Sequence, residues 1–92
     1  SPKVNKADQR QRSSESRKAA SGLKRKADDA EKRLDKINAT IATIDSELAK
    51  PGLPSEQLQD LLRQRADLVA EAEGTEAIWL QAVEDYDMAL ND

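Results

Sequence analysis

Leu23, Ala27, Ala30, Leu34, Ile37, Ile41, Ile44 and Leu48 recur at alternating steps of four and three, with Ala20 one step earlier. The mean step of 3.5 residues places all of them on one stripe of an α-helix. The stripe ends before Pro51-Gly52-Leu53-Pro54. A helix does not cross that segment, because each proline lacks an N–H donor and restricts the residue before it. Ser55 is placed to cap a second helix, with Glu56 in the first turn where the helix dipole favours an acid.

A wider stripe follows: Leu58, Leu61/Leu62, Arg65, Leu68/Val69, Ala72, Thr75/Glu76, Trp79, Ala82/Val83, Tyr86 and Ala89/Leu90. Gly74 interrupts it at a cost of about 1 kcal/mol relative to Ala. Two amphipathic helices joined by so short a connection become antiparallel neighbours. Folding about the loop pairs positions whose numbers sum to about 106: Leu48 with Leu58, Ile44 with Leu62, Ile37 with Val69, Ala27 with Trp79, Ala20 with Tyr86. Both rings then fall opposite alanines, which suits a two-helix seam. The predicted fold class is all-α: a two-helix antiparallel coiled-coil hairpin over 21–92, with helices at about 21–49 and 55–90. Residues 1–20 read as a flexible, partly disordered basic lead, since Ser13, Ser14, Ser16, Ser21 and Gly22 lower helix propensity. Against that, Asp8-x-x-Gln11 offers a capping box for an earlier start.

Composition agrees. Charged residues make up 36% of the 92, and only Trp79 and Tyr86 are aromatic, too little for a compact enzyme core. Neither Cys nor His occurs, which removes disulfides, Cys/His metal sites, imidazole acid–base catalysis and thiol nucleophiles. The expectation is a non-enzymatic domain with no cofactor, no metal and no small-molecule ligand. The longest apolar run is Ala77-Ile78-Trp79-Leu80, far below the ~20 residues that span a bilayer. No membrane contact is expected, and the chain reads as soluble and intracellular. Several features have plain structural readings. Trp79 belongs to the seam, Arg65 snorkels its head to water, and Asp28–Lys32 and Asp29–Arg33 form helix-surface ion pairs. The acidic run Glu84-Asp85-Tyr86-Asp87 is a solvated face.

The charge is unevenly placed. Residues 1–26 carry nine Lys/Arg against Asp8 and Glu15, a net +7; residues 37–92 carry a net −9. A split of this kind points to an anionic partner at the basic end. The candidate phosphate-binding residues are Arg10, Arg12, Arg17, Lys18, Lys24, Arg25 and Lys26, with Lys18, Arg25 and Lys32 seven apart along one side. No aromatic lies near them, so any binding is to the nucleic-acid backbone. The competing reading makes the same segment a basic linker, and the hairpin a structural element for protein contact or dimerisation.

The residues also carry a resemblance. A basic Lys6-Ala7-Asp8-Gln9-Arg10-Gln11-Arg12 lead precedes Arg17-Lys18-Ala19-Ala20 and Leu23-Lys24-Arg25-Lys26. Then come Ala30-Glu31-Lys32-Arg33-Leu34, Ile41 to Leu48, a Pro/Gly loop, and Glu76-Ala77-Ile78-Trp79-Leu80 with Tyr86. Over nearly the whole chain this resembles the C-terminal coiled-coil domain of ABC-F family ATPases, the Uup-like proteins with two tandem nucleotide-binding cassettes. Its loop, Lys50-Pro51-Gly52-Leu53-Pro54, is shorter than the aromatic-containing loops common in that family. The resemblance implies a cytoplasmic, ribosome- or translation-associated protein whose cassettes lie upstream in the same chain. For Uup-like members it implies a domain that binds DNA, with rRNA the other nucleic-acid partner. No G-x-x-x-x-G-K-[ST] phosphate loop occurs here, so ATP hydrolysis is not expected of these residues.

Overall fold

A computed structural model describes residues 5–91 as two helices, α1 (Lys6–Leu48) and α2 (Ser55–Asn91), packed antiparallel. The hairpin measures 78 × 16 × 14 Å, with a radius of gyration of 21.7 Å. A compact domain of this length would have about 12 Å. The seam is therefore the whole interior.

The largest difference from the sequence reading is where α1 begins. It starts at Lys6, not near 21, so residues 6–20 are helical; positions 1–4 of the expected flexible lead lie outside the described residues. Two local causes act against the serines. Asn5 has extended backbone, its Oδ1 accepts from the Ala7 N–H at 3.0 Å, and its carbonyl accepts from the Gln9 N–H at 3.0 Å. Asn5 is thus the N-cap, which places Asp8 in the first turn beside the positive end of the dipole. Gln11, expected in a box with Asp8, instead donates to Glu15 at 3.4 Å. The second cause is packing: the stripe continues below Leu23 through buried Ala20 to half-buried Ser16. Serine costs only a few tenths of a kcal/mol relative to Ala in a helix, and tertiary contact outweighs it.

Near the loop, Thr40, Thr43 and Ser46 donate their hydroxyls to the carbonyls of Lys36, Ala39 and Ala42, so polar residues remain helical there. α1 closes with the Ala49 N–H on the Asp45 carbonyl (3.1 Å) and the Lys50 N–H on that of Glu47 (3.2 Å). Gly52 turns the chain with φ +75°, a conformation L side chains rarely adopt. The Pro54 carbonyl accepts from the Leu58 N–H at 2.9 Å. Pro54 therefore takes the cap position expected of Ser55, and Ser55 is the first helical residue.

Along α1 every expected seam position is buried or half-buried, and Ala20, Ala27, Ala30, Ile37 and Ile44 are the most enclosed. Along α2 the first member of four of the five ambiguous pairs is the more buried, Leu68 and Val69 are both half-buried, and Leu58, the expected partner of Leu48, is exposed. Leu61, Leu68, Thr75, Ala82 and Ala89 turn inward, alternating with Arg65, Ala72, Trp79 and Tyr86. Leu62 and Leu90 are 50% and 57% exposed, so Leu62 is not the seam partner of Ile44. Among the described residues two ion pairs cross the hairpin, Arg33–Glu71 and Asp45–Arg65. Their position numbers sum to 104 and 110, bracketing the expected register. By that register Trp79 and Tyr86, both half-buried, lie level with buried Ala27 and Ala20. Among the described residues no large side chain is fully buried, as two helices alone cannot enclose one.

Candidate nucleic-acid interface

All seven candidate cations lie on α1 and are exposed. Because α2 ends at Asn91, the register leaves α1 unaccompanied below about residue 15. Arg10 therefore projects on a single helix, and Arg12, with Ser13, Ser16 and Arg17, lines a shallow groove closed by Ala89 and Leu90. The other candidates lie where both helices run together. With Leu23 and Ala27 inward, Lys18, Arg25 and Lys32 stand seven apart on the side of α1 opposite α2, although Arg25 also reaches the flank groove that Lys26 lines. Arg17 and Lys24 face one flank of the hairpin. Lys26 faces the other, where with Gly22, Ala30, Gly74, Thr75 and Ile78 it lines an open groove of about 720 Å³.

The carboxylates divide these cations into two sets. Lys24 Nζ donates to Asp28 Oδ2 at 3.1 Å. That hydrogen bond, and then the Asp28 charge, raise the Lys24 pKa above its ordinary value. Its charge is already compensated within the helix. The expected Asp28–Lys32 and Asp29–Arg33 pairs are not formed: Asp28 takes Lys24, and Arg33 crosses to Glu71. Lys32 is left exposed with no carboxylate within ion-pair distance among the described residues. Lys32 stands in one row with Lys18 and Arg25 but is not among the seven candidate residues. The signal was its seven-residue spacing from Arg25.

Hairpin closure also moves the acidic end of the chain. Glu84, Asp85 and Asp87 fall level with residues 19–22, beside the basic stretch and not remote from it. Asp85 accepts from Gln81 Nε2 at 3.0 Å. Charge that is split end to end in the sequence is split side to side in the structure. The outward row Lys18–Arg25–Lys32 is the surface farthest from α2's carboxylates.

Arg65 reaches the solvent-exposed flank from the seam, as expected, and finds a partner there: Nε donates to Asp45 Oδ1 at 2.6 Å and Nη2 to Oδ2 at 3.4 Å, a two-pronged bridge across the hairpin. The guanidinium hydrogen bond holds the Asp45 carboxyl below its usual pKa, and the same bond raises that of Arg65. Among the described residues no three metal-ligating side chains come together, and no helix is long and apolar enough to cross a membrane. Among the described residues no buried side-chain polar atom lacks a partner. What the molecule offers is surface, shaped as two open flanks and a cationic ridge. No protein family, curated protein or solved structure matches the chain.

Proposed function

We propose that this hairpin is the accessory C-terminal domain of a soluble, cytoplasmic ABC-F ATPase and binds nucleic acid, DNA or rRNA, non-specifically through the basic half of α1. The ATPase cassettes belong upstream in the same chain, and the hairpin itself carries no catalytic chemistry and needs no cofactor. One observation carries the reading: Lys18, Arg25 and Lys32 form an exposed outward row without carboxylate partners, extended toward the helix start by Arg17, Arg12 and Arg10. Each such cation displaces condensed counterions from a phosphate, so affinity is electrostatic and tolerant of sequence.

The test is fluorescence anisotropy on a 20-bp DNA duplex and on an rRNA hairpin across a salt series. The logarithm of affinity should fall linearly with the logarithm of salt, at about −0.9 per phosphate contacted on duplex. Replacing Lys18, Arg25 and Lys32 together by Glu should lower affinity for every sequence alike by roughly 100-fold and flatten the slope by about 2.7. Lys24→Gln should change affinity less than about twofold, because Asp28 already compensates that charge. Binding that is unmeasurable for the native chain, or that survives the triple reversal, returns the hairpin to a purely structural role. The exposed apolar residues of α2 favour a contribution of that second kind in addition.

A further inference from the structure

The flank groove that Arg25 and Lys26 line together with α2 has a built interior. It measures about 720 Å³, within the range of roughly 300–1,000 Å³ usual for ligand sites. Buried Ala30 and Thr75 form its floor, where the two seams meet. Gly22 and Gly74 line it without side chains, and a Cβ at either meets nothing within 4 Å, so a flat group can approach the backbone closely. Ile78, half exposed, is the wall on α2, and the Arg33–Glu71 bridge closes the end nearer the loop. One polar group faces this space from below. Thr75 is only 5% exposed, the sole buried polar residue among those described. Thr40, Thr43 and Ser46 give their hydroxyls to carbonyls four residues back, whereas the Thr75 hydroxyl has no hydrogen-bond partner among the described residues. No fully enclosed polar atom is left unpaired, so this hydroxyl keeps an open side, and the groove is the opening that Thr75 lines.

What fits such a space is a flat group with apolar faces and polar edges, joined to an anion. A nucleobase on its strand has that form. Its faces suit the glycines, Ala30 and Ile78, and its edge suits the Thr75 hydroxyl, which both donates and accepts. Asp29 on the rim repels a phosphate but accepts from a ring amino group. The cations lie where the backbone must run. Arg25 lines the groove and also belongs to the outward row, and Lys26 stands beside it; neither has a carboxylate within ion-pair distance among the described residues. Cavity and phosphate ridge are thus joined through one residue. Bases inside a duplex are stacked and paired, and taking one out costs a few kcal/mol unless it is already unpaired. We infer that the groove between Gly22 and Gly74 receives one unpaired nucleobase of a strand whose phosphates lie along Lys18, Arg25 and Lys32. The preferred ligand is then a nucleic acid with a bulge, a loop or a single-stranded stretch. This rests on the nucleic-acid reading above and names its substrate class. No aromatic side chain lines the groove, so contact and hydrogen bonding hold the base in place of stacking, and the added affinity is modest.

The test compares two 20-bp DNA duplexes, one fully paired and one carrying a single bulged 2-aminopurine, by anisotropy and by the emission of that base. The native chain should bind the bulged duplex about tenfold more tightly, and the emission should rise on binding as the ring leaves its neighbours. A bulge also makes a duplex easier to bend, so variants of the groove are needed to assign the gain. Gly74→Leu places a side chain in the groove at an exposed helical position where Leu is the better helix former, so the fold is not threatened. It should abolish the preference and the emission change. Thr75→Val keeps the shape and removes the hydroxyl, and should reduce the preference about threefold. Neither variant should alter binding to the fully paired duplex. Equal affinity of the native chain for both duplexes, an unchanged emission, or a preference that survives Gly74→Leu overturns the inference and leaves the backbone-binding reading standing. Failure of the native chain to bind either duplex overturns both.

Discussion

The loop half and the open half of the hairpin solve the same packing problem differently. Toward the loop, α1 supplies Ile37, Ile41, Ile44 and Leu48, and α2 supplies Leu61 and Leu68, with Asp45–Arg65 bridging the flank. Toward the open end, α1 supplies Ala20, Leu23, Ala27 and Ala30, and α2 supplies Thr75, Trp79, Ala82 and Tyr86. Bulk is shared between the helices in the first half and carried by α2 in the second. Small α1 residues let α2's rings approach, and the same half holds both helical glycines and nearly all the free cations. Aliphatic burial concentrates stability near the loop. The open end has less aliphatic burial and more exposed charge. In a molecule without a closed core, burial and free charge are thus separated along its length.

That contrast is open to attack. The largest effect should come from the loop half: Ile44→Ala, at a buried position, should lower unfolding free energy by about 2–4 kcal/mol in urea titration. Leu23→Ala, half-buried in the open half, should cost about 1 kcal/mol. Equal costs would mean that stability is evenly spread. Glycine swaps come next and should differ in sign. Gly52→Ala should destabilise by about 1–2 kcal/mol, because φ +75° is unfavourable for any residue with a Cβ. At Gly22 and Gly74 an added Cβ meets nothing within 4 Å, so Ala at either should stabilise by up to about 1 kcal/mol, raising the melting temperature.

The smallest effect concerns the bridge. The Asp45 carboxyl is held below its unfolded value by Arg65, so its contribution is complete above the unfolded carboxylate pKa of about 4 and fades as pH falls through the lower folded value. Thermal melts between pH 2 and 6 should therefore converge for the native chain and Asp45→Asn at the acid end and separate above it, the native chain being the more stable. Curves that stay parallel throughout would leave the bridge without a part in stability.

Much of the hairpin was legible because a 3.5-residue repeat and a double-proline break are local signals. Eight α1 seam positions were readable for that reason, as were the loop and the antiparallel register. The start of α1 was less legible. Serine propensities argued for a flexible segment, while the Asn5 cap and the contact of Ala20 and Ser16 with the end of α2 decided for helix. Of the candidate site, residue types and the outward row were readable, but not which cations were free. Lys24 and Lys32 compete for one acid, Asp28, and the sequence offers both partners at equal spacing.

The amino-acid order by itself determined two amphipathic helices, the turn between them and the basic character of one end, since these depend on residues a few positions apart. Only the tertiary structure decided which of each α2 pair turned inward, that Arg65 would bridge to Asp45 and Arg33 to Glu71, and that the acidic end of α2 would lie beside the basic stretch of α1. Those outcomes depend on contacts 20 to 70 residues apart, and the rotation of one helix against the other is set when both seams close together.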